Sequence, residues 1–389
     1  MARRVVITAA SAITPIGRGR DEIVRHLTEG ISGVKKLRND GLLTEHIQSG
    51  VYGTVDYPIE YDFKRSHAKT MGPVSFYACQ VSREALQASG LDPAFIASGR
   101  LGVAFGSTHG SPSAQRNIYR TFFTERERGV AAIGAVDYLK SMVHTTAVNI
   151  TKMFGITGRV IASSTACTTS SQSIGYGYES VKYGMQDAML CGGADEYDTT
   201  TVAVFDNLLA CSTEFNATPH LTPRPFDAAR DGLVVGEGAG AVLLEAYEHA
   251  KKRGAPILGE VVGFSCTNNG GDLILPNGAG ITRTLKLALE EAAIAPGAVD
   301  FISAHATATK MGDVVEAQAI GEKLWNVQYQ LIPKAMRPPG LLERLREINL
   351  EILSKETVPS SGAGGPSDFT AVRKASSSAR SIARQGSNR

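Results

Sequence analysis

The chain has 389 residues, which is enough to bury a large core as one domain or as two similar halves. A net charge of +2, with no apolar stretch near the roughly 18 residues that span a membrane, excludes nucleic acid and membrane as expected partners. Five widely spaced cysteines predict no disulfide framework and no metal site, which favours a reduced, cytoplasmic protein: Cys79, Cys167, Cys191, Cys211 and Cys266.

The first hundred residues alternate apolar runs with helical patterns. Residues 5–9 predict a buried strand, 11–17 a loop and 20–29 an amphipathic helix. Residues 74–89 predict a second helix, and the apolar run 101–108 predicts a strand that ends in a small-residue turn. Strands that alternate with helices in this way predict an α/β fold with a parallel sheet covered on both faces.

A single cysteine stands where the next strand turns into a helix. Residues 160–162 predict the end of a buried strand, and apolar residues at helical spacing from 174 to 181 predict the helix. Cys167 lies between them, beside the unpaired N–H groups of a helix start, which favour a thiolate and can hold an oxyanion. An inert core cysteine is the alternative, but small and hydroxyl neighbours leave room around the sulfur and favour a nucleophile.

The segment after the cysteine elbow, which is the turn at Cys167 between the predicted strand and helix, contains a glycine-rich run that resembles a dinucleotide-binding motif. Gly236, Gly238 and Gly240 precede the predicted strand 241–245, whereas a dinucleotide motif follows a strand and opens a helix. We therefore reject that interpretation. Residues 187–193, which come before this run, predict the strand after the helix that follows Cys167, and residues 257–266 predict a further strand.

A histidine ends the last predicted strand, 299–303, at the edge where α/β sheets place ligands. His305 is either a structural side chain or part of a site. Hydroxyl and acidic residues follow it at short spacing: Thr307, Thr309, Asp313 and Glu316. The two acidic residues share one face of a predicted helix, either as a helix-terminal charge pair or as groups that orient a site.

Three motifs in order carry a resemblance: the cysteine elbow, the Arg224-Pro-Phe-Asp…Gly240 stretch and the His305 loop. With them the chain resembles the elongating β-ketoacyl-acyl-carrier-protein synthases over about residues 1–324. The resemblance implies a thiolase-like, five-layered αβαβα fold made of two similar halves. Residues 1–250 would form the half that carries the cysteine, and 251–325 an incomplete second half. It also implies a homodimer, or a heterodimer with another ketosynthase.

The resemblance further implies decarboxylative condensation of malonyl-carrier protein with an acyl chain held on cysteine. Cys167 matches the acyl-accepting nucleophile, and His305 matches the first of two histidines that bind the malonyl thioester. Thr307 and Thr309 match the threonines that hold the pantetheine arm, and Asp313 and Glu316 match the acidic positions of the active-site network. The substrates travel on the phosphopantetheine of acyl carrier protein, so no further cofactor is expected.

The chain departs from the family pattern after about residue 325. No histidine follows His305, although the family has a second one, and the family's Asn-rich Gly-Gly loop is missing. Lys334 stands near the expected distance for the family's lysine, but in a different context. Residues 326–389 carry ten Lys and Arg against five Asp and Glu, and their Ser/Arg-rich composition predicts a largely disordered tail. A natural divergent end and a shifted reading frame are the two explanations.

Three hypotheses of function follow. The first is an active synthase of fatty acid, polyketide or polyene biosynthesis. The second is a catalytically impaired or non-catalytic partner subunit like a chain-length factor, which retention of Cys167 argues against. The third is an inactive, frame-shifted product. A thiolase would need a second cysteine after Cys266, and a serine hydrolase would need a Gly-x-Ser-x-Gly elbow, and the sequence has neither.

Overall fold

A computed structural model describes residues 2–37, 45–56, 63–271, 274–324 and 367–373 of the chain. The strands are β1 (Val5–Thr14), β2 (Gly17–Arg18), β3 (Lys35–Lys36), β4 (Val51–Tyr52), β5 (Leu101–Gly106), β6 (Val160–Ile161), β7 (Ala188–Asp195), β8 (Gly238–Ala246), β9 (Gly259–Thr267) and β10 (Ser367–Arg373). The helices are α1 (Gly19–Glu29), α2 (Arg65–Ala68), α3 (Pro73–Ser89), α4 (Pro93–Ile96), α5 (Pro112–Thr124), α6 (Ala135–Ser141), α7 (Thr145–Phe154), α8 (Thr169–Lys182), α9 (Thr199–Asn207), α10 (Tyr247–Lys252), α11 (Gly278–Ala292) and α12 (Gly312–Leu324). Short 3-10 turns occupy Gly129–Ala132, Ala166–Thr168, Pro219–Leu221 and Pro296–Ala298.

The main sheet is mixed and has the order β10-β9-β1-β8-β7-β5-β6, with β2 paired to the end of β1. The predicted parallel pairing holds for β5 with β6 and β7, which are joined by helical crossovers. It is wrong for β8, because the chain leaves β7 at Asp195 and returns opposite that residue at Gly238, so that β8 runs antiparallel. The loop predicted for residues 11–17 is also wrong for 11–14, which form the end of β1, and for Gly17, which begins β2. Strand β8 pairs with residues 11–13, and β2 pairs with Ile13 and Thr14.

Both faces of the sheet are buried, as the uninterrupted apolar runs in β5 and β7 predict. On β7, Leu190 faces a core shared with α3 and α7, whereas Met189 and Cys191 face a second core shared with α8. The same alternation places Val103 in the first core and Ala104 in the second. One sheet therefore separates two helical layers.

Helix α8 also contacts the second half of the chain. Tyr178 and Val181 of α8 share a core with Val261 and Phe264 of β9. On the other side of β9, Gly263 lies against the backbone of α11. The described layers are therefore α3 and α7, the central strands of the main sheet, α8, the β9–β10 edge of the same sheet, and α11; this succession agrees with the predicted αβαβα order.

The contact between α8 and β9 depends on a glycine. A Cβ at Gly175 would lie 2.2 Å from the Phe264 ring. We expect Gly175→Ala to lower the free energy of unfolding by about 1–3 kcal/mol, because this core has no room for an added methyl group. Urea unfolding monitors the change. Gly321→Ala in α12 is the matched control, because a Cβ added there would meet nothing within 4 Å. A similar loss in both variants would contradict the packing explanation, and Phe264→Leu should partly rescue Gly175→Ala.

The second half differs from the prediction at residues 299–303, which do not form a strand in the part of the chain that the structure describes. Val299, Ile302 and Ala304 still pack against α11 and α12, while Phe301 is 69% exposed. A strand needs a hydrogen-bonded neighbour, and no described strand pairs with this segment. The apolar run therefore packs inward without joining a sheet.

Residues 367–373 belong to the tail, 326–389, that is predicted to be largely disordered. They form β10, which pairs antiparallel with β9 from Ser367 opposite Thr267 to Arg373 opposite Glu260. Phe, Thr and Val favour an extended conformation here, and the free edge of β9 supplies the partners. Lys334 and the rest of the predicted tail lie outside the described residues.

Candidate active site

The cysteine elbow lies at the end of β6, where the chain passes through the turn Ala166–Thr168 directly into α8. Cys167 is exposed, at the position between strand and helix that the sequence predicts. The preceding residue, Ala166, has a φ of +52°, in the left-handed region that costs a residue with a side chain roughly 1 kcal/mol or more. The turn is therefore strained and must be held by its surroundings.

Two glycines bring the start of α8 close to the ends of β5 and β7. A Cβ at Gly106 would lie 2.2 Å from Thr169 Cγ2, and one at Gly193 would lie 2.1 Å from Ser170 Oγ. Below the turn, the Ser163 and Ser173 hydroxyls lie 2.6 Å apart and tie the incoming loop to α8. These contacts fix the helix start over the carboxyl ends of the parallel strands, where α/β sheets place ligands.

The histidine loop, residues 305–309, is held by hydrogen bonds to two buried carboxylates. Glu316 accepts the backbone N–H groups of His305 at 2.7 Å and of Ala306 at 2.8 Å. Asp313 accepts the N–H of Ala308 at 2.9 Å. Both acids stand in the first turns of α12, so the helix on which they lie also shapes the loop that precedes it. This arrangement brings together the predicted acidic positions and His305.

The same loop is anchored by the segment around residues 224–231. Asp313 also accepts the N–H of Phe226 at 2.7 Å, and Arg230 lies 3.6 Å from that carboxylate. The Arg230 guanidinium donates to the carbonyls of Thr309 at 3.2 Å and Lys310 at 2.7 Å. The sequence analysis identifies this segment as a family motif but assigns it no structural role. Its Arg-Pro-Phe-Asp…Arg spacing is the signal that could have indicated that it anchors another loop.

The predicted substrate-binding threonines lie on the same loop. The hydroxyls of Thr307 and Thr309 are 3.0 Å apart, and Thr309 Oγ1 accepts the N–H of Gly312 at 3.1 Å. Ala306 and Ala308 both have positive φ values, +48° and +61°. A residue with a side chain is disfavoured at a positive φ, so this loop is strained and must be held by its surroundings.

Cys167 and His305 are brought together from the two halves of the chain. The imidazole interacts with the Cys167 thiol and, against the opposing effect of partial desolvation of the sulfur by surrounding protein atoms, lowers the pKa of that thiol below its ordinary value. The same contact raises the pKa of His305, assisted by the negative charges of Glu316 and Asp313. Both shifts favour a thiolate beside an imidazolium, which is the reactive form of a cysteine.

The other cysteines have different environments. Burial raises the pKa of Cys79 and of Cys211 to about 12, and it also raises the pKa of Cys191. Cys266 is exposed near the end of β9, with its sulfur 3.5 Å from the Gln172 side-chain nitrogen. Cys167 therefore differs from Cys79, Cys191 and Cys211 in that its pKa is lowered and theirs are raised.

Glu316 provides a test of the histidine loop. Glu316→Gln keeps one acceptor oxygen but turns an amide donor toward one of the two backbone N–H groups. We expect this to lower the free energy of unfolding by about 1–3 kcal/mol and to slow alkylation of Cys167, because His305 loses its fixed position. Glu290→Gln, an exposed change on α11, is the control for both measurements. Equal effects of the two substitutions would show that Glu316 does not hold the loop.

The described residues contain neither a candidate metal centre nor a candidate membrane span. Among them, no group of three or more His, Cys, Asp or Glu side chains is placed to hold a metal ion. Over the same residues, every helix is too short or too polar to cross a bilayer.

A layered αβαβα fold with a cysteine elbow facing a histidine loop defines the class of thiolase-like condensing enzymes. The profile described as "Beta-ketoacyl synthase, N-terminal domain" matches residues 2–250, and that of the C-terminal domain matches 258–332. The chain therefore belongs to the β-ketoacyl synthase family.

Individual relatives agree with this family assignment. The chain is 34% identical over 318 residues to 3-oxoacyl-[acyl-carrier-protein] synthase 1 of Haemophilus influenzae, covering 82% of this chain and 77% of that protein. A β-ketoacyl synthase from Burkholderia phymatum superposes with a TM-score of 0.78 at 40% identity, covering 83% of this chain and 78% of that one. A type II polyketide-synthase ketosynthase in complex with its acyl-carrier protein superposes with a TM-score of 0.79 at 25% identity, covering 96% of this chain and 100% of that one. These neighbours confirm the predicted thiolase-like fold.

Proposed function

We propose that the protein is a β-ketoacyl-acyl-carrier-protein synthase in which Cys167 carries the growing acyl chain. The observation that carries the proposal is the contact between Cys167 and His305, which favours the thiolate of an exposed cysteine at a helix start. The names of the curated relatives, 3-oxoacyl-[acyl-carrier-protein] synthases, agree with this chemistry. A non-catalytic partner subunit would have no use for an activated cysteine, so we do not favour that hypothesis.

The first half-reaction is acyl transfer. The Cys167 thiolate attacks the carbonyl of the acyl-carrier thioester, and the oxyanion that forms lies near the N–H groups at the start of α8. Collapse of the tetrahedral intermediate breaks the bond to the carrier's sulfur, which leaves as a thiolate and takes a proton. The acyl group is then a thioester of Cys167.

The second half-reaction is condensation. Malonyl-carrier protein loses carbon dioxide, and His305 donates a hydrogen bond to the enolate oxygen that this loss creates. The enolate carbon attacks the Cys167 thioester, forms the new carbon–carbon bond and releases the Cys167 thiolate. Thr307 and Thr309 would hold the pantetheine arm, Asp313 and Glu316 would fix the loop, and no cofactor beyond the carrier's phosphopantetheine is needed.

The proposal includes acyl carrier protein as partner and a dimer as the working state. One structural neighbour is a ketosynthase in complex with a type II polyketide carrier protein, and another is a ketosynthase paired with a chain length factor. Either a homodimer or a heterodimer with another ketosynthase fits this likeness. A reducing, cytoplasmic compartment would keep the Cys167 thiol free for acylation.

Mass spectrometry of the purified protein tests the proposal in two steps. Incubation with acyl-carrier protein should add one acyl group to Cys167, located by peptide mapping. Addition of malonyl-carrier protein should then remove that group and yield β-ketoacyl-carrier protein. An adduct without product would confine the activity to acyl transfer, and a folded protein without any adduct would refute the proposed function.

A further inference from the structure

Asp195, at the carboxyl end of β7, has no part in the chemistry above although it stands beside the elbow. Its carboxylate accepts three hydrogen bonds from the loop that follows β5. Ser107 Oγ and the N–H of Thr108 donate at 2.9 Å each, and Thr108 Oγ1 donates at 2.8 Å. The carboxylate thus fixes Thr108 through both its backbone and its side chain.

Thr108 in turn contacts the elbow. Its hydroxyl lies 3.5 Å from the carbonyl oxygen of Ala166, and its own carbonyl lies 3.5 Å from Ser164 Oγ. Each contact is long and singly weak. Together they border the strained residue that precedes Cys167, and a conformation such as that of Ala166 persists only where its surroundings hold it.

Asp195 also acts on Cys167 through its charge. The carboxylate raises the pKa of the Cys167 thiol, in the direction opposite to the larger effect of His305. Two charged groups thus act on the sulfur in opposite directions: His305 favours the thiolate and Asp195 opposes it, while Glu316 and Asp313 act on His305. Because the hydrogen bonds of Asp195 to Thr108 hold its carboxylate against the loop that contacts Ala166, its negative charge also acts on a charged group that approaches Cys167.

We propose that Asp195 positions the Cys167 elbow through Thr108 and selects uncharged acyl groups, over anionic ones such as malonyl, for transfer to Cys167. The selection follows from repulsion between the Asp195 carboxylate and the carboxylate of an anionic acyl group that approaches Cys167. This selection keeps the two substrates of a condensation apart: the uncharged acyl group is transferred to Cys167, whereas the malonyl group remains on its carrier. The substrate part of this inference rests on the proposed function, whereas the positioning part does not.

Alkylation of Cys167 tests both parts without any enzymatic turnover. Neutral iodoacetamide and anionic iodoacetate are compared on the full chain, with the modified peptide identified by mass spectrometry. In Asp195→Asn, the ratio of the iodoacetate rate to the iodoacetamide rate should rise about threefold or more. The pH at which the iodoacetamide rate increases should also be lower than in the original protein, because removal of the carboxylate lowers the pKa of Cys167. A merely structural role of Asp195 would not move either quantity in these directions.

Substitutions of Thr108 separate the positioning effect of Asp195 from the effect of its charge. Thr108→Val should slow both reagents equally and leave their ratio unchanged, and Thr108→Ser should restore the rates because it keeps the hydroxyl. Asp92→Asn, which changes an exposed helix cap far from the elbow, should alter neither rate nor ratio. Asp195→Ser is a second neutral variant in case Asp195→Asn does not fold. An unchanged ratio and pH profile in a folded, neutral Asp195 variant would overturn the proposal.

Loading from carrier proteins completes the test. Malonyl-carrier protein should acylate Cys167 about threefold or more faster in Asp195→Asn than in the original protein, relative to loading from octanoyl-carrier protein in each. If neither carrier loads any variant but the alkylation ratio changes as expected, the proposed function fails and the charge effect of Asp195 stands. If both carriers load the original protein equally well, the selection is refuted while the proposed function survives.

Discussion

Cys167→Ser is expected to abolish the acyl adduct and to lower β-ketoacyl formation by about 10³-fold or more. A serine hydroxyl occupies the same position in the elbow, but its far higher pKa leaves it protonated beside His305, so it cannot replace the thiolate as nucleophile. The adduct is measured by mass spectrometry after incubation with acyl-carrier protein, and the product by a discontinuous condensation assay. The fold should be unchanged, because the Cys167 side chain is exposed.

Cys266→Ser is the matched control for this change. Cys266 is also exposed, but it lies at the end of β9, where its sulfur contacts the Gln172 amide. The control variant should keep both the adduct and the condensation rate. An adduct that persists in Cys167→Ser and disappears in Cys266→Ser would move the nucleophile to the second half of the chain and contradict the assignment of Cys167.

The elements that could be predicted from the sequence are the strands whose two faces are both buried. The strands β5 and β7 read as unbroken apolar runs because each of their faces meets a helical layer. The errors arise where an element depends on a partner distant in sequence. Residues 11–14 look like a loop until β8 pairs with them, and 299–303 look like a strand although no described strand joins them.

The candidate site divides in the same way. Cys167 and His305 could be found because each follows an apolar run and precedes the start of a helix, although the run before His305 does not form a strand in the described part of the chain. The groups that hold them could not. The hydrogen bonds from Phe226 to Asp313 and from Thr108 to Asp195 each join residues 87 positions apart, and no local pattern indicates such a contact. Single residues that carry chemistry are thus more visible in this sequence than the contacts that orient them.

His305→Gln should raise the pKa of Cys167 and slow condensation by about 10²–10³-fold. The imidazole is the main cause of the lowered pKa of the thiol. Its loss leaves partial desolvation of the sulfur and the charge of Asp195, which favour the protonated form, against the smaller opposing effect of a backbone hydrogen bond. Because only the thiolate is alkylated, the alkylation rate of the variant should increase at a higher pH than that of the original protein. Condensation should fall further than alkylation, because the variant also loses the hydrogen bond that would stabilise the enolate.

Raising the pH separates these two roles of His305. Above the new pKa of Cys167, the His305→Gln variant should regain acyl transfer, because the thiolate then forms without help, whereas condensation should remain slow. His220→Gln, an exposed change in the turn Pro219–Leu221, should leave both pH profiles unchanged. Recovery of condensation together with acyl transfer at high pH would mean that His305 serves only to activate Cys167. The enolate would then have to be stabilised by another group.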